Sequence, residues 1–240
     1  MPHFFEKVSG DTVEITGENA NHIVGALRMK VGEKITLCDD GRNYECELTE
    51  IGKGYAKAKV VDCSMNYSEP DVKITLYQCV PKGDKLELVI QKAVELGVDR
   101  IVPVLSSRCV SRPDAKKASK KNERYNKIAL SACEQSGRGK IVEVAEQIDF
   151  KSAIAQLENY DLCILFYEGG GKPLKEIIDK EKHKNICIFI GPEGGFSGDE
   201  VTSLEQNGAC TATLGKRILR TETAPLAAIV SIMLLTDNMN

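Results

Sequence analysis

Polar and apolar residues alternate with a period of two over most of the first sixty residues. The alternation is clear at 12–15, 34–38, 44–48 and 55–60, and turns that contain glycine separate these runs. A period of two predicts strands that bury one face. The apolar positions within 20–29 follow a helical spacing instead. The pattern therefore predicts a small β-barrel that carries one helix.

After residue 68 the pattern changes to apolar strands that alternate with helices. Buried strands are predicted at 73–80, 100–105, 162–167, 186–190 and 210–214. Helices are predicted at 85–96, 123–135, 151–157, 174–182, 199–206 and 224–236. This alternation is typical of an α/β domain with a mostly parallel sheet, whose ligands bind beyond the carboxyl ends of the strands. We therefore predict two domains, 1–68 and 69–240.

Composition excludes several classes of protein. With 42% hydrophobic and 28% charged residues the chain has ordinary globular composition, and its net charge of -3 gives it no general affinity for nucleic acid. The nine cysteines include no Cys-x-x-Cys pair, which predicts a reducing compartment with neither a zinc site nor a disulfide framework. No apolar stretch reaches the about 18 residues that a membrane helix needs, and no leader pattern begins the chain. We expect a cytoplasmic protein without a membrane segment.

Three turns that contain glycine each follow a predicted strand, at 167–172, 190–197 and 214–224. Because the carboxyl ends of parallel strands meet at one edge of a sheet, we expect these turns to form one pocket. None of them matches a dinucleotide fingerprint or a phosphate loop, so a nucleoside held by backbone amides fits better than a phosphate. The alternative for the second turn is that 197–200 is only a capping box that starts a helix.

Basic residues are concentrated in one segment of this net-acidic chain. Between 108 and 127 there are eight basic and two acidic residues, a local charge of +6. Such a stripe is typical of a face that binds the RNA backbone. The alternative is a solvated loop that precedes a helix.

Two blocks of the sequence resemble one protein family. Residues 190–197 read Ile-Gly-Pro-Glu-Gly-Gly-Phe-Ser, and residues 214–224 read Leu-Gly-Lys-Arg-Ile-Leu-Arg-Thr-Glu-Thr-Ala. Both resemble the RsmE family of bacterial 16S ribosomal RNA (uracil-N3)-methyltransferases, within the SPOUT superfamily. Further blocks at 1–5, 21–28, 91–98, 101–103 and 133–138 resemble the family in the family's order. Two features depart from it: His3 stands where arginine is usual, and a proline that often follows 133–138 is missing.

The resemblance implies a fold, a reaction and partners. The fold would be a SPOUT-type parallel sheet with a C-terminal trefoil knot, preceded by a small PUA-like β-barrel at the amino terminus. The chain would use S-adenosylmethionine to methylate N3 of a uridine in small-subunit ribosomal RNA, without a metal ion. Its partners would be ribosomal RNA within an assembled small subunit and a second copy of the chain.

The resemblance also implies which residues form the site. Arg220 would donate hydrogen bonds to the uracil oxygens as N3 loses its proton, and Glu193 would hold its loop or take part in proton removal. Residues implied in cofactor binding are Leu165, Tyr167, Glu168, Gly169, Ile190, Gly191, Pro192, Gly194, Leu214, Gly215, Ile218, Leu219 and Thr223. Residues implied in RNA binding are His3, Arg28, Arg108, Arg112, Lys116, Lys120, Arg138 and Arg217.

Two other functions fit the same residues. The chain could be a non-catalytic RNA-binding or ribosome-assembly protein whose glycine turns are structural, and binding of S-adenosylmethionine would argue against that. It could also be a SPOUT methyltransferase that acts on a ribose 2′-hydroxyl or a guanine. The apolar positions of 224–235 leave a structural choice open, because Leu226, Ile229, Ile232 and Met233 fit either the core or a dimer face.

Overall fold

The computed structural model describes residues 1–110 and 115–239, with the backbone alone for Ala115 and Lys116. The chain forms two compact units. The first comprises Met1–Glu69 and Cys133–Ile141, and the second comprises Pro70–Ala132 and Val142–Asn240. The ranges predicted from the sequence, 1–68 and 69–240, assign 133–141 to the second domain.

The first unit is a five-stranded sheet with a short helical segment. Its strands are β1 (His3–Phe5), β2 (Thr12–Thr16), β3 (Lys34–Asp39), β4 (Arg42–Gly52) and β5 (Tyr55–Met65). They lie in the order β1-β3-β4-β5-β2, and every pair is antiparallel except β1 with β3. The four strands predicted from the period of two are thereby confirmed, whereas the three residues of β1 are too few to show a period.

The helical segment of the first unit begins and ends three residues earlier than predicted. It consists of α1 (Gly17–Asn21) and one π-helical turn, His22–Ala26. Ala20 and Ile23 from this segment are fully buried beside the sheet residues Ile15, Ile35 and Leu48. Arg28 has a φ of 53°, which lies in the left-handed region and cannot continue a right-handed helix. The helix predicted at 20–29 therefore ends early.

The second unit contains one parallel sheet. Its strands are β6 (Lys73–Cys79), β7 (Arg100–Leu105), β8 (Glu143–Val144), β9 (Ile148–Asp149), β10 (Leu162–Phe166), β11 (Lys172–Pro173), β12 (Asn185–Ile190) and β13 (Cys210–Thr213). The order is β11-β13-β10-β12-β6-β7-β8, with β9 also on β7, and every pairing is parallel. The predicted parallel α/β architecture is confirmed.

The α-helices that follow β6 in the chain are α2 (Lys85–Glu95), α3 (Ala115–Ser136), α4 (Phe150–Ile154), α5 (Leu174–Ile177), α6 (Gly198–Gln206) and α7 (Ala224–Leu235). In the chain they lie between the strands of this sheet, except α7, which comes after the last strand. The predicted bounds of α2, α6 and α7 agree to within one residue. The predicted α5 is too long, because Ile178 is already extended, with a ψ of 123°.

Helix α7 belongs mainly to the core of the second unit. It packs against α2, β6 and β12, and Ile229, Ile232 and Met233 are buried. Burying side chains of this size contributes about 1.5–3 kcal/mol each. The structure therefore assigns these three residues to the core rather than to a dimer face. Among the described residues, no helix is both long and apolar enough to cross a membrane.

Candidate functional site

Three turns line one cavity of about 560 Å³ at the carboxyl ends of β10, β12 and β13. We name them the tyrosine turn (167–172, after β10), the glycine turn (190–197, after β12) and the arginine loop (214–223, after β13). Lys85, at the start of α2, also lines the cavity. The common pocket predicted from the three glycine-containing turns is therefore present.

Most of the residues predicted to bind a cofactor line this cavity. Those that do are Tyr167, Glu168, Ile190, Gly191, Pro192, Gly194, Leu214, Gly215, Ile218 and Leu219. The structure does not bring the other three to it. Leu165 lies in the interior of β10 within the hydrophobic core, Gly169 sits against the ring of Tyr167, and Thr223 precedes α7 with an exposed side chain.

The glycine turn is fixed by hydrogen bonds from three directions. Arg108 Nη1 donates to the carbonyl oxygen of Gly194 at 2.6 Å, and Thr221 Oγ1 donates to that of Gly191 at 2.8 Å. Ser197 and Glu200 form a reciprocal capping box at the start of α6. The predicted capping box is thus confirmed, and the same turn lines the cavity, so the two interpretations of 190–197 hold together.

Glycine is required at two positions for close approach of the backbone. A Cβ atom on Gly195, whose φ is 64°, would lie 2.0 Å from Glu168 Oε1, and one on Gly191 would lie 3.2 Å from the Cα atom of Gly195. The glycine turn therefore folds back on itself and receives the Glu168 side chain from the tyrosine turn. Main-chain amides and carbonyls, rather than side chains, make up much of this wall.

Two carboxylates in the cavity share one lysine. Lys85 Nζ lies 2.9 Å from Glu193 Oε1 and 3.3 Å from Glu222 Oε2. Glu193 Oε1 also accepts a hydrogen bond from the backbone N–H of Lys82 at 3.1 Å. Partial burial opposes ionisation of Glu193, but the hydrogen bonds from Lys85 and from backbone amides outweigh it and lower the pKa of this carboxyl. Glu193 is therefore a weak base whose oxygens already have donors, which supports a role in holding its loop.

Sequence reasoning did not identify Lys85, Thr221, Glu222 or Gln78 as members of this site. Gln78, on β6, is fully buried and donates through Nε2 to Thr221 Oγ1 at 3.2 Å. Thr221 and Glu222 lie in the block 214–224 that resembles the methyltransferase family, and that resemblance is the one signal for them. No local sequence pattern marks Lys85 or Gln78 as part of the site, because only tertiary packing brings them close to the loops.

Arg217 and Arg220 are the exposed arginines of the cavity. Their side chains make no hydrogen bond or ion pair with any residue that the structure describes. An arginine left in this state presents a fork of donors to a planar or anionic ligand. The arrangement suits a ligand on which negative charge is located or develops.

The other residues predicted to bind RNA fall into different environments. Arg28 and Lys120 are exposed, and Arg108 donates to the glycine turn. His3 is half-buried, and burial lowers the pKa of its imidazole more than the neighbouring Asn43 raises it, so a neutral ring is favoured over a phosphate-binding cation. Arg112 and the side chain of Lys116 lie outside the described residues.

Arg138, which the sequence analysis assigns to RNA binding, is buried in the structure. Only 3% of its side chain is exposed, and its Nε and Nη2 atoms donate to the two carboxylate oxygens of Glu69 at 2.8 and 2.6 Å. Glu69 Oε1 also accepts from the backbone N–H of Gly139 at 3.0 Å. This forked pair ties 133–141 into the first unit and commits the guanidinium to Glu69. An RNA contact at Arg138 stays a prediction.

No group of three or more histidine, cysteine, aspartate or glutamate side chains that could hold a metal ion occurs in the part of the chain that the structure describes. The polar chemistry of the cavity is carried by Lys85, three glutamates and the two exposed arginines, together with Lys216. This set can bind a ligand with both apolar and charged parts.

Comparison with known proteins identifies the family. A model of the RNA methyltransferase domain matches residues 68–233, and a model of the RNA methyltransferase PUA domain matches residues 15–61. Ribosomal RNA small subunit methyltransferase E of Bacillus subtilis strain 168 is 38% identical over 94% of this chain and 91% of its own. The enzyme of the same name from Mesomycoplasma hyopneumoniae strain 232 is 35% identical over 88% and 89% of the two chains.

A solved structure has the same fold over nearly the whole length. The crystal structure of ribosomal RNA small subunit methyltransferase E from Neisseria gonorrhoeae, bound to S-adenosyl methionine, superposes with a TM-score of 0.90. It is 35% identical in sequence, and the match covers 98% of each chain. Sequence, domain content and fold therefore agree, and the chain belongs to the ribosomal RNA small subunit methyltransferase E family.

Proposed function

We propose that this protein transfers the methyl group of S-adenosylmethionine to N3 of a uridine in 16S ribosomal RNA. The observation that carries the proposal is the pairing, in one cavity, of a backbone wall shaped by Gly191 and Gly195 with the exposed guanidinium groups of Arg217 and Arg220. Membership of the family supplies the reaction class, and the cavity supplies groups that suit both reactants.

The cavity fits the cofactor in size and in the chemistry of its lining. Its volume of about 560 Å³ lies within the range usual for small-molecule sites. Ile190, Pro192, Leu214 and Leu219 provide apolar surface for a nucleoside, and the glycine turn provides main-chain polar groups. When bound, S-adenosylmethionine supplies a methyl group on a positively charged sulfur, which is open to attack by a nucleophile.

The RNA reactant requires groups that stabilise negative charge. N3 of uracil carries a proton, and its lone pair becomes available for attack when that proton leaves and charge spreads to O2 and O4. The exposed guanidinium of Arg220 suits the role of donor to those oxygens, an arrangement that stabilises a developing anion. Because the pKa of Glu193 is lowered, we assign this carboxylate a role in holding its loop. We expect the proton of uracil N3 to leave to solvent.

Binding of the RNA backbone is assigned to positive charge outside the cavity. Lys120, Lys121 and Arg124 are exposed on α3, and Arg28 is exposed in the first unit. Arg217 supplies further positive charge at the cavity itself. Such charges attract the phosphates of RNA of any sequence. The substrate that we expect is the folded RNA of an assembled small subunit.

We include the C-terminal trefoil knot in the proposal. β13 pairs with β10, while the arginine loop that follows returns to Gly191 at the end of β12 and to Gln78 on β6. The chain then enters α7, which packs on α2 and β6. It thus crosses the carboxyl ends of two strands before its last helix, a path that supports a threaded chain. A crystal structure traced from 162 to 235 would test the threading.

Calorimetry with S-adenosylmethionine tests the cofactor site. In Gly191→Ala the added Cβ would meet backbone of the same turn at 3.2 Å, so we expect affinity to fall at least about tenfold, which is about 1.4 kcal/mol. Gly198→Ala is the matched control, because Gly198 follows the glycine turn directly and a Cβ there meets nothing within 4 Å. An unaltered affinity in folded Gly191→Ala would remove the glycine turn from the cofactor site.

A further inference from the structure

Two neighbouring residues of the arginine loop are each tied to the glycine turn. Thr221 Oγ1 reaches the Gly191 carbonyl directly, at 2.8 Å. Glu222 reaches Glu193 indirectly, since Lys85 Nζ lies 3.3 Å from the first carboxylate and 2.9 Å from the second. The second bridge differs from the first because it depends on a side chain from a third element, the start of α2.

We infer that Lys85 is a positioning residue for methyl transfer, which sets the distance between the glycine turn and Arg220 by joining Glu193 to Glu222. The inference rests on the proposed function, in which the glycine turn holds the cofactor and Arg220 acts on the uracil. Lys85 is not placed on the reacting atoms. It acts through the loop that carries Arg220, two residues before Glu222.

The anchors of the two loops are unequal, and this inequality decides which kinetic constant Lys85 controls. The glycine turn has further anchors in Arg108, which binds the Gly194 carbonyl, and in the capping box of α6. The part of the arginine loop from Gly215 to Ile218 is exposed. Its end is held by Thr221, which also accepts a hydrogen bond from Gln78. Two backbone hydrogen bonds to the Arg220 carbonyl and the Lys85 bridge to Glu222 hold it as well. Loss of Lys85 therefore loosens Arg220 more than it disturbs the cofactor wall.

A cation is needed at this point because both bridged groups are carboxylates. Without Lys85, Glu193 and Glu222 would lie near one another with no charge between them, and like charges at short range repel. Both carboxylates raise the pKa of the Lys85 ammonium group, so the bridge is charged at neutral pH. Arginine at this position retains the charge and can donate to both carboxylates, whereas methionine retains only the length.

The test compares Lys85→Met with Lys85→Arg and with a matched control, Lys92→Met. Lys92 lies on the same helix and pairs with Glu95 on the helix surface. The substrates are S-adenosylmethionine and small subunits from cells that lack this modification. We expect Lys85→Met to lower kcat about 10- to 100-fold, the scale of a small misplacement of reacting groups. The affinity for S-adenosylmethionine should stay within about twofold, Lys85→Arg should restore most of kcat, and Lys92→Met should match the wild type.

A double variant separates positioning from a general loss of stability. If Lys85 acts through Arg220, then Lys85→Met combined with Arg220→Ala should be no slower than Arg220→Ala alone. Multiplicative losses, or a wild-type kcat in Lys85→Met, would overturn the inference. Glu222→Gln removes the same bridge from its other end, and it replaces Lys85→Met if that variant fails to fold. A wild-type protein that forms no 3-methyluridine would instead refute the proposed function, and the inference with it.

Discussion

At the scale of single residues, partners decide what an arginine can do. Arg138 and Arg220 both lie in blocks that resemble the family, and nothing in the sequence separates them. In the structure Arg138 is buried in a fork with Glu69, whereas the Arg220 guanidinium is exposed in the cavity with no partner among the described residues. A resemblance can therefore mark important positions, but only contacts divide them into structural and chemical roles.

Arg220→Ala is predicted to lower turnover while cofactor affinity stays nearly constant. Loss of one donor to a developing anion costs about 10²-fold or more in kcat, and the glycine turn keeps its other anchors. Single-turnover methylation of small subunits, with calorimetry for S-adenosylmethionine, measures the two effects separately. If Arg220→Ala abolishes cofactor binding, Arg220 belongs to the cofactor pocket and the donor must be sought at Arg217.

Glu134 gives a prediction for the pH dependence of stability. Burial raises the pKa of this carboxyl to about 7, against a smaller opposing effect from a hydrogen bond with the Phe5 backbone. Between the usual value of 4.5 and about 7 the folded protein holds a proton that the unfolded chain has lost. The contribution of Glu134 to stability therefore declines as pH rises through this window.

Glu134→Gln should remove that dependence. We expect the variant to gain stability relative to the wild type on going from pH 5 to pH 8, as measured by urea unfolding at the two values. Glu14→Gln, at an exposed position of β2, is the control and should show no such change. A difference between Glu134→Gln and wild type that is the same at both pH values would contradict the assigned ionisation.

At the scale of elements, periodicity predicted the strands and helices that bury one face, and it failed where no face is buried. α3 spans Ala115–Ser136, whereas the predicted helix covered only 123–135. The prediction missed 115–122 because these residues are mainly lysine, alanine and polar side chains without an apolar period. The two-residue strands β8, β9 and β11 were missed because their pairing depends on neighbours distant in sequence. The structure also corrects the alternative that the basic stripe is a solvated loop before a helix, since 115–127 is itself helical.

The exposed lysines of α3 give a prediction about RNA binding. Lys120→Glu combined with Lys121→Glu should raise the KM for small subunits and flatten its dependence on salt, because fewer phosphate contacts release fewer counterions. The rate at saturation should change little, in contrast to Arg220→Ala. Kinetics at several salt concentrations provide the measurement. An unchanged salt dependence would exclude this face of α3 from the RNA interface.

At the scale of the whole molecule, the sequence predicted the sheet, the three turns and their common cavity, because each follows from local pattern and from the geometry of parallel strands. It did not predict that 133–141 joins the first unit, since the Glu69–Arg138 pair joins residues that are 69 positions apart. The sequence did not predict the Lys85 bridge either, because Glu193 and Glu222 are distant from Lys85 in the chain. Interactions between distant residues leave little trace in a single sequence.

Association into a dimer is predicted from what α7 leaves exposed. Ile229, Ile232 and Met233 are core, but Leu234 and Leu235 remain exposed at the end of α7, and Met239 is exposed beyond it. Exposed apolar side chains of this kind favour a self-complementary contact. Light scattering at micromolar concentration should give twice the 26.3 kDa mass of one chain, and Leu234→Glu should lower it. A wild-type mass of 26.3 kDa would exclude the dimer.

The central claim is that this chain places a methyl group on N3 of a uridine in 16S ribosomal RNA. Its most direct test is nucleoside mass spectrometry of that RNA from cells that lack the gene, before and after complementation. We predict that 3-methyluridine is absent without the gene, returns with the wild-type chain and does not return to the same level with Arg220→Ala. A methyl group restored on a ribose or on guanine, or no restored methyl group at all, would contradict the claim.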